Sequence, residues 1–253
     1  MPYTIAMAGK GGTGKTTVAG FLIRYLVQKG KTPVLAVDAD ANANLNEVLG
    51  VPLGATLGTT REEMKDGIVA QGMTKQMFIE MKLAEAITEK EGFDLIAMGR
   101  PEGPGCYCAA NNLLSMYLGN LIDNYPYMVM DNEAGMEHIS RLTTNNVDIL
   151  ILVSDPSMRG IEAAARINRL VDDLKVRAVK RYLVINQVRD GLPDGLQETI
   201  EKQGLHLAGT IPKDDLLYEY DMSGNPTVSL PDDNPALTAA FAIFDKDIRR
   251  VYC

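Results

Sequence analysis

The sequence predicts an α/β protein with a mostly parallel central sheet and helices on both faces. Short apolar runs alternate with helical patterns from one end to the other. Each run is short enough for a buried strand, and the stretches between have room for crossover helices. The first run also leads straight into a glycine-rich loop and an amphipathic helix, the order of elements found in phosphate-binding folds.

The strands are expected at Tyr3 to Ala8, Pro33 to Val37, Phe93 to Met98, Tyr127 to Met130, Ile149 to Val153, Tyr182 to Ile185 and Leu207 to Ile211. Val18, Phe21, Leu22, Tyr25 and Leu26 give the first helix its apolar stripe. Further helical segments are expected near 75–90, 109–123, 157–173 and 194–203. Gly50 to Gly72 is polar and glycine-rich and reads as a long irregular excursion within the domain. No repeat or low-complexity tract divides the chain, so residues 1–253 read as a single domain.

Composition narrows the function classes. Hydrophobic residues at 46% and charged residues at 23% are ordinary for a soluble globular protein. The net charge of −8 argues against nucleic acid as a main partner, since such binders cluster Lys and Arg to neutralise phosphates. No apolar stretch approaches the roughly 20 residues that span a bilayer. No export signal is read at the start, so a cytoplasmic location without membrane insertion is expected. Three cysteines are too few for a disulfide scaffold, and a close pair in a reducing compartment points to metal or redox chemistry.

Gly9-Lys10-Gly11-Gly12-Thr13-Gly14-Lys15-Thr16-Thr17 follows the first strand directly. Glycines let backbone N–H groups curl around phosphate oxygens, and the following helix N-terminus adds its dipole. Within Gly11 to Thr17, Lys15 is expected to reach the β- and γ-phosphates and the Thr16 hydroxyl to ligate Mg²⁺. The expected fold is therefore that of a P-loop NTPase.

The run Lys10-Gly11-Gly12-Thr13-Gly14-Lys15-Thr16-Thr17 resembles the deviant Walker A signature of the iron protein, cell-division and partition ATPases. The resemblance implies a homodimer in which Lys10 crosses to the partner's nucleotide, where a cation supplied in trans ties hydrolysis to assembly. Asp38-Ala39-Asp40-Ala41-Asn42 resembles the family's first switch, which implies that Asp40 orients or activates the attacking water and that Asp38 lies near the Mg²⁺ shell. Tyr127 to Met130 followed by Asp131 reads as a Walker B strand ending in the acid that holds Mg²⁺ through water, and Asp131 to Gly135 resembles the second switch. Asn186, at a strand end, stands where relatives read the adenine edge, and Ile211-Pro212-Lys213-Asp214 resembles the segment lining the base. ATP is favoured over GTP because no guanine-reading Asn-Lys-x-Asp is visible.

Cys106-Tyr107-Cys108 offers two thiolates, too few for the usual four-coordinate site. A twofold dimer would supply four, with the site on the symmetry axis. The plain alternative is a pair of reduced cysteines with no ligand. Set in this ATPase pattern, with Asp131 to His138, the pair resembles the accessory ATPases that mature nickel carbon monoxide dehydrogenase and acetyl-CoA synthase, the CooC family. That resemblance implies Ni²⁺ or Zn²⁺ held by Cys106 and Cys108 of two subunits, and a client nickel enzyme as partner. Two other readings stay open: an iron–sulfur electron donor like the nitrogenase iron protein, and a partition or cell-division ATPase. The first is disfavoured because Ala134 stands at about the position of the iron protein's second cluster ligand. His138, His206 and Cys253 are read as structural or incidental. The helix expected over Pro235 to Val251 is read as docked on the sheet, because Asp245 and Asp247 interrupt the basic face that a membrane tail would need.

Overall fold

A computed structural model describes residues 2–65, 74–99, 119, 121–132, 146–173 and 177–248. Its centre is an eight-stranded sheet. In chain order the elements are β1 (Tyr3–Gly9), α1 (Lys15–Gln28), β2 (Val34–Asp38), α2 (Leu45–Leu49), α3 (Leu57–Lys65), α4 (Lys75–Glu85), β3 (Ile87–Lys90), β4 (Phe93–Ala97), β5 (Tyr127–Asp131) and β6 (Asn146–Ser154). They continue with α5 (Met158–Asp173), β7 (Arg177–Val188), α6 (Leu196–Lys202), β8 (Leu207–Pro212), α7 (Asp215–Ser223) and α8 (Pro235–Asp247).

The strand order is β3-β4-β2-β5-β1-β6-β7-β8, and every pairing is parallel except that of β3 with β4. β1 lies between β5 and β6. The order reverses there, and the ends of neighbouring parallel strands open a crevice at such a point.

Side chains alternate across the central strands, and both faces are covered. Ile5, Val34, Ala36 and Val129 join a core under α1, α2 and α8. Ala6, Leu35, Val37 and Met130 face the opposite core, with Ile161 and Val171 of α5 and Leu196 of α6. The expected layered α/β architecture is observed.

Several boundaries differ from expectation, for identifiable reasons. The helix expected near 75–90 stops at Glu85, and Ile87–Lys90 becomes an antiparallel edge strand on β4. Its Thr, Glu and Lys fit a helix locally, but pairing decides the outcome. The stretch read as irregular contains α3, started by reciprocal bonds between Thr56 and Thr59: the Thr59 amide donates to Thr56 Oγ1 at 3.2 Å and the Thr56 amide to Thr59 Oγ1 at 2.9 Å. This works as a capping box built from threonine, without the Glu or Gln that signals one. β7 begins at Arg177 because its basic, half-exposed start pairs with β6 from Asn146. Most of the helix expected near 109–123 lies outside the described residues, as do Cys106, Cys108, His138 and Cys253.

α8 is docked as expected. Leu237, Ala240 and Phe244 are fully buried, and Ile248 just beyond the helix is nearly so. Phe244 packs edge-on against Tyr25 of α1 with ring centroids 5.6 Å apart. Among the described residues no helix is long and apolar enough to cross a membrane. Phe244→Ala should lower unfolding stability by about 3–5 kcal/mol. Urea denaturation followed by circular dichroism measures this, and a loss under 1 kcal/mol would mean that α8 is only loosely attached.

Candidate nucleotide site

The loop after β1 folds on contacts made by its own carbonyls. Lys10 C=O accepts from Thr13 Oγ1 at 2.9 Å and from Lys15 Nζ at 3.3 Å. Gly14 sits just before α1 at φ 86°, and a Cβ there would lie 2.3 Å from Asn186 Nδ2, so backbone and space both require glycine. Thr13 and Lys15 are buried, whereas Lys10, Gly11 and Gly12 are exposed. The Lys10 side chain thus stands at the surface beside the loop, while its carbonyl is held inside it.

Behind the loop lie two acids. The sheet register pairs Asp38 of β2 with Asp131 of β5, and Asp131 with Met7 of β1. Both carboxylates are almost completely buried. Asp38 Oδ1 accepts from the Asp40 amide at 3.0 Å and Oδ2 from the Leu45 amide at 2.8 Å, so this side chain shapes the loop that carries Asp40. Burial raises its pKa to about 7, the two backbone amides oppose that, and the neighbouring Asp131 adds to it. Asp131 is raised to about 6, chiefly by burial, while a hydrogen bond from Thr16 and the charge of Lys15 act the other way.

One oxygen of Asp131, Oδ1, is buried without a hydrogen-bond partner. An orphaned carboxylate oxygen beside the Thr16 hydroxyl suits a hard divalent cation with oxygen ligands. Thr16 and Asp131 are therefore the pair that could hold Mg²⁺. Asp38, with both oxygens accepting backbone amides, stands behind them.

The remaining expected residues meet in one cleft of about 660 Å³. Gly11, Gly12, Gly14, Lys15, Thr16 and Thr17 form its floor, Asp40 one wall, and Asn186, Pro212 and Asp214 another. Asp40 is fixed through Oδ1, which accepts from the Asn42 amide at 2.8 Å and from Asn42 Nδ2 at 3.2 Å. Asn186 is buried, and its Nδ2 donates to Thr13 C=O at 3.0 Å, so it braces the loop as well as lining the cleft. Asp214 caps α7, accepting from the Leu217 amide at 2.7 Å, and also takes Asn234 Nδ2 at 2.9 Å.

The sequence reading missed several contributors. Asn132, just after β5, donates through Nδ2 to Met7 C=O at 2.7 Å and ties the end of β5 to β1. Gln187 touches Gly12, Glu47 extends the acidic wall, and Leu217 and Tyr218 come from a helix that was not expected. Asp214-Asp215 followed by Leu216-Leu217 was the available signal for that helix start.

A phosphate-cradling loop at the switch point of a parallel sheet, with a helix N-terminus, a buried lysine and a Thr–Asp pair behind it, defines a P-loop ATPase. The chain belongs to the CobQ/CobB/MinD/ParA nucleotide binding domain family, whose model matches residues 4–228. It is 40% identical to an uncharacterized ATP-binding protein of Methanocaldococcus jannaschii over 98% of this chain and 99% of that one. It is 32% identical to the carbon monoxide dehydrogenase accessory protein CooC of Rhodospirillum rubrum, over 87% of each. In fold it resembles the septum site-determining protein MinD of Pyrococcus horikoshii, solved with Mg-ADP, at TM-score 0.75 and 22% identity over 99% and 98% of the two chains.

The buried charge on Asp131 has a measurable consequence. Its folded pKa of about 6 lies above the ordinary aspartate value of 3.8, so the fold binds this proton more tightly than the unfolded chain does. Its contribution to stability is full below pH 4 and is lost as pH rises through about 6. Asp131→Asn removes that loss. Without divalent cation, the variant should be more stable than the parent at pH 8, by up to about 3 kcal/mol, and the gap should close as pH falls toward 4. Denaturation midpoints across that range test this, and a less stable variant at pH 8 would contradict it.

Proposed function

We propose that this ATPase is an ATP-hydrolysing metallochaperone that carries Ni²⁺ or Zn²⁺ and assists nickel insertion into a carbon monoxide dehydrogenase or acetyl-CoA synthase. What carries the reading is the conjunction of 32% identity to CooC over 87% of the chain with the Cys106-Tyr107-Cys108 pair. The described chain before that pair ends at Gly99, after β4, beside the Asp38 strand end. Met98 N–H donates to Asp38 C=O at 2.8 Å. Gly99, the last described residue before the cysteine pair, therefore follows a strand end on the side of the sheet that bears the nucleotide cleft.

In this reading the whole chain, residues 1–253, acts as one cytoplasmic P-loop domain and pairs into a homodimer, with no membrane or nucleic-acid partner. Gly11 to Thr17 bind the phosphates, and Lys15 leaves Lys10 C=O to meet them. Thr16 and Asp131 hold Mg²⁺, which supplies charge neutralisation at the phosphates. Asp40, steadied by Asn42, orients the attacking water. Asn186, Pro212 and Asp214 border the base. Lys10, exposed beside the loop, reaches the partner's nucleotide. Cys106 and Cys108 of two subunits converge on the metal cargo, and hydrolysis loosens the dimer toward the client enzyme.

A partition or cell-division role is the second reading, favoured by the MinD-like fold. Metal binding separates the two. Protein purified anaerobically should bind Ni²⁺ or Zn²⁺ at about one ion per two chains, as a site on a twofold axis requires. Cys106→Ser and Cys108→Ser should each weaken it sharply while sparing nucleotide affinity. Absence of tight metal binding would favour the second reading, and iron–sulfur absorbance would favour an electron donor.

The hydrolytic roles are tested independently. Lys15→Ala should abolish tight nucleotide binding, because the phosphates lose their main cation. Asp40→Ala should bind ATP but fail to turn over. Parental turnover in the Asp40 variant would remove Asp40 from the mechanism.

A further inference from the structure

Two non-glycine residues among those described hold positive φ, Ala43 at 49° and Gln187 at 62°. Such a conformation is costly for residues with a side chain, and it persists where surrounding contacts impose it. Gln187 is exposed, so burial of its side chain does not account for it. It sits where the pairing of β7 with β8 shifts register between Ile185 and Val188.

The hydrogen bonds supply a reason. The Gln187 amide donates to Asn186 Oδ1 at 2.9 Å, Asn186 Nδ2 donates to Thr13 C=O at 3.0 Å, and Gln187 Nε2 donates to Gly12 C=O at 3.3 Å. These two neighbouring side chains therefore hold two successive carbonyls of the phosphate loop. In a planar trans peptide the N–H points opposite to the C=O. Drawing the Gly12 and Thr13 carbonyls toward β7 turns the Thr13 and Gly14 N–H groups the other way. Lys10 C=O is held similarly by Thr13 and Lys15, which orients the Gly11 N–H.

We propose that Gln187 is a positioning residue for ATP binding and hydrolysis. Its left-handed backbone aims the side-chain amide at Gly12 C=O, and that bond sets the Gly12–Thr13 peptide so that the Thr13 N–H is presented to phosphate before nucleotide arrives. Gln187 acts through the loop peptide and touches no reacting atom. The role rests on the nucleotide site alone, so it stands or falls independently of any metal cargo.

Two variants test it. Gln187→Gly keeps the positive φ without strain and removes the donor. Gln187→Glu keeps the length but sets a carboxylate against a carbonyl. The Gly variant should unfold at or above the parent's midpoint, yet bind ADP about 3- to 10-fold more weakly, the range for one lost hydrogen bond. The Glu variant should lose more. In the ADP complexes, amide hydrogen exchange at Gly11 to Lys15 should be faster in both variants than in the parent. Parental ADP affinity with parental loop exchange in Gln187→Gly would overturn the assignment. A midpoint well below the parent's would also overturn it, by making Gln187 a residue of the fold.

Discussion

Everything in the cleft is arranged around two carboxylates that sheet register forces together. Parallel pairing of β2 with β5 sets Asp38 opposite Asp131, at the ends of strands closed to water on both faces. Two buried like charges on adjacent strands are unfavourable unless each finds partners. Asp38 finds two backbone amides and in doing so folds the loop that presents Asp40. Asp131 has the Thr16 hydroxyl and the nearby Lys15 charge, but one buried oxygen still lacks a partner. A cation brought with a nucleotide would give that oxygen a partner, which makes cation binding and local stability one equilibrium.

The phosphate loop answers the same demand from the other side. Asn186 and Gln187 draw the Thr13 and Gly12 carbonyls toward β7, and Lys10 C=O is held within the loop by Thr13 and Lys15, which turns loop peptide N–H groups toward an incoming anion. The non-glycine residues with positive φ, Ala43 on the loop after β2 and Gln187 near the end of β7, lie on either side of this cradle. Strain beside a ligand site is the pattern expected of preorganisation.

The sequence was legible wherever local signals and tertiary demand agree. Glycine spacing marked the phosphate loop, because no other residue fits at Gly14 beside Asn186. Apolar runs marked the central strands, because both faces of each are covered. β3 was hidden, since Ile87 to Lys90 becomes a strand only by pairing with β4. α3 and α7 were hidden behind threonine and aspartate caps that lack a long apolar stripe. Lys10, Lys15, Thr16, Asp40 and Asp131 could be named from motif position. The braces from Asn132 and Gln187 could not, because they depend on which strand ends become neighbours across more than a hundred residues of chain.

The central claim is that nucleotide state governs cargo, and reciprocity tests it most directly. If ATP and metal both favour the closed dimer, ATP must tighten metal binding by the factor by which metal tightens ATP. Affinity for Ni²⁺ or Zn²⁺ should be measured by chelator competition in ADP and in a non-hydrolysable ATP analogue. The account predicts tighter binding with the analogue by roughly 5- to 150-fold, reduced in Lys10→Ala, whose two ligand sites remain intact. Equal metal affinity in both nucleotide states, with dimerisation confirmed by sedimentation, would contradict it.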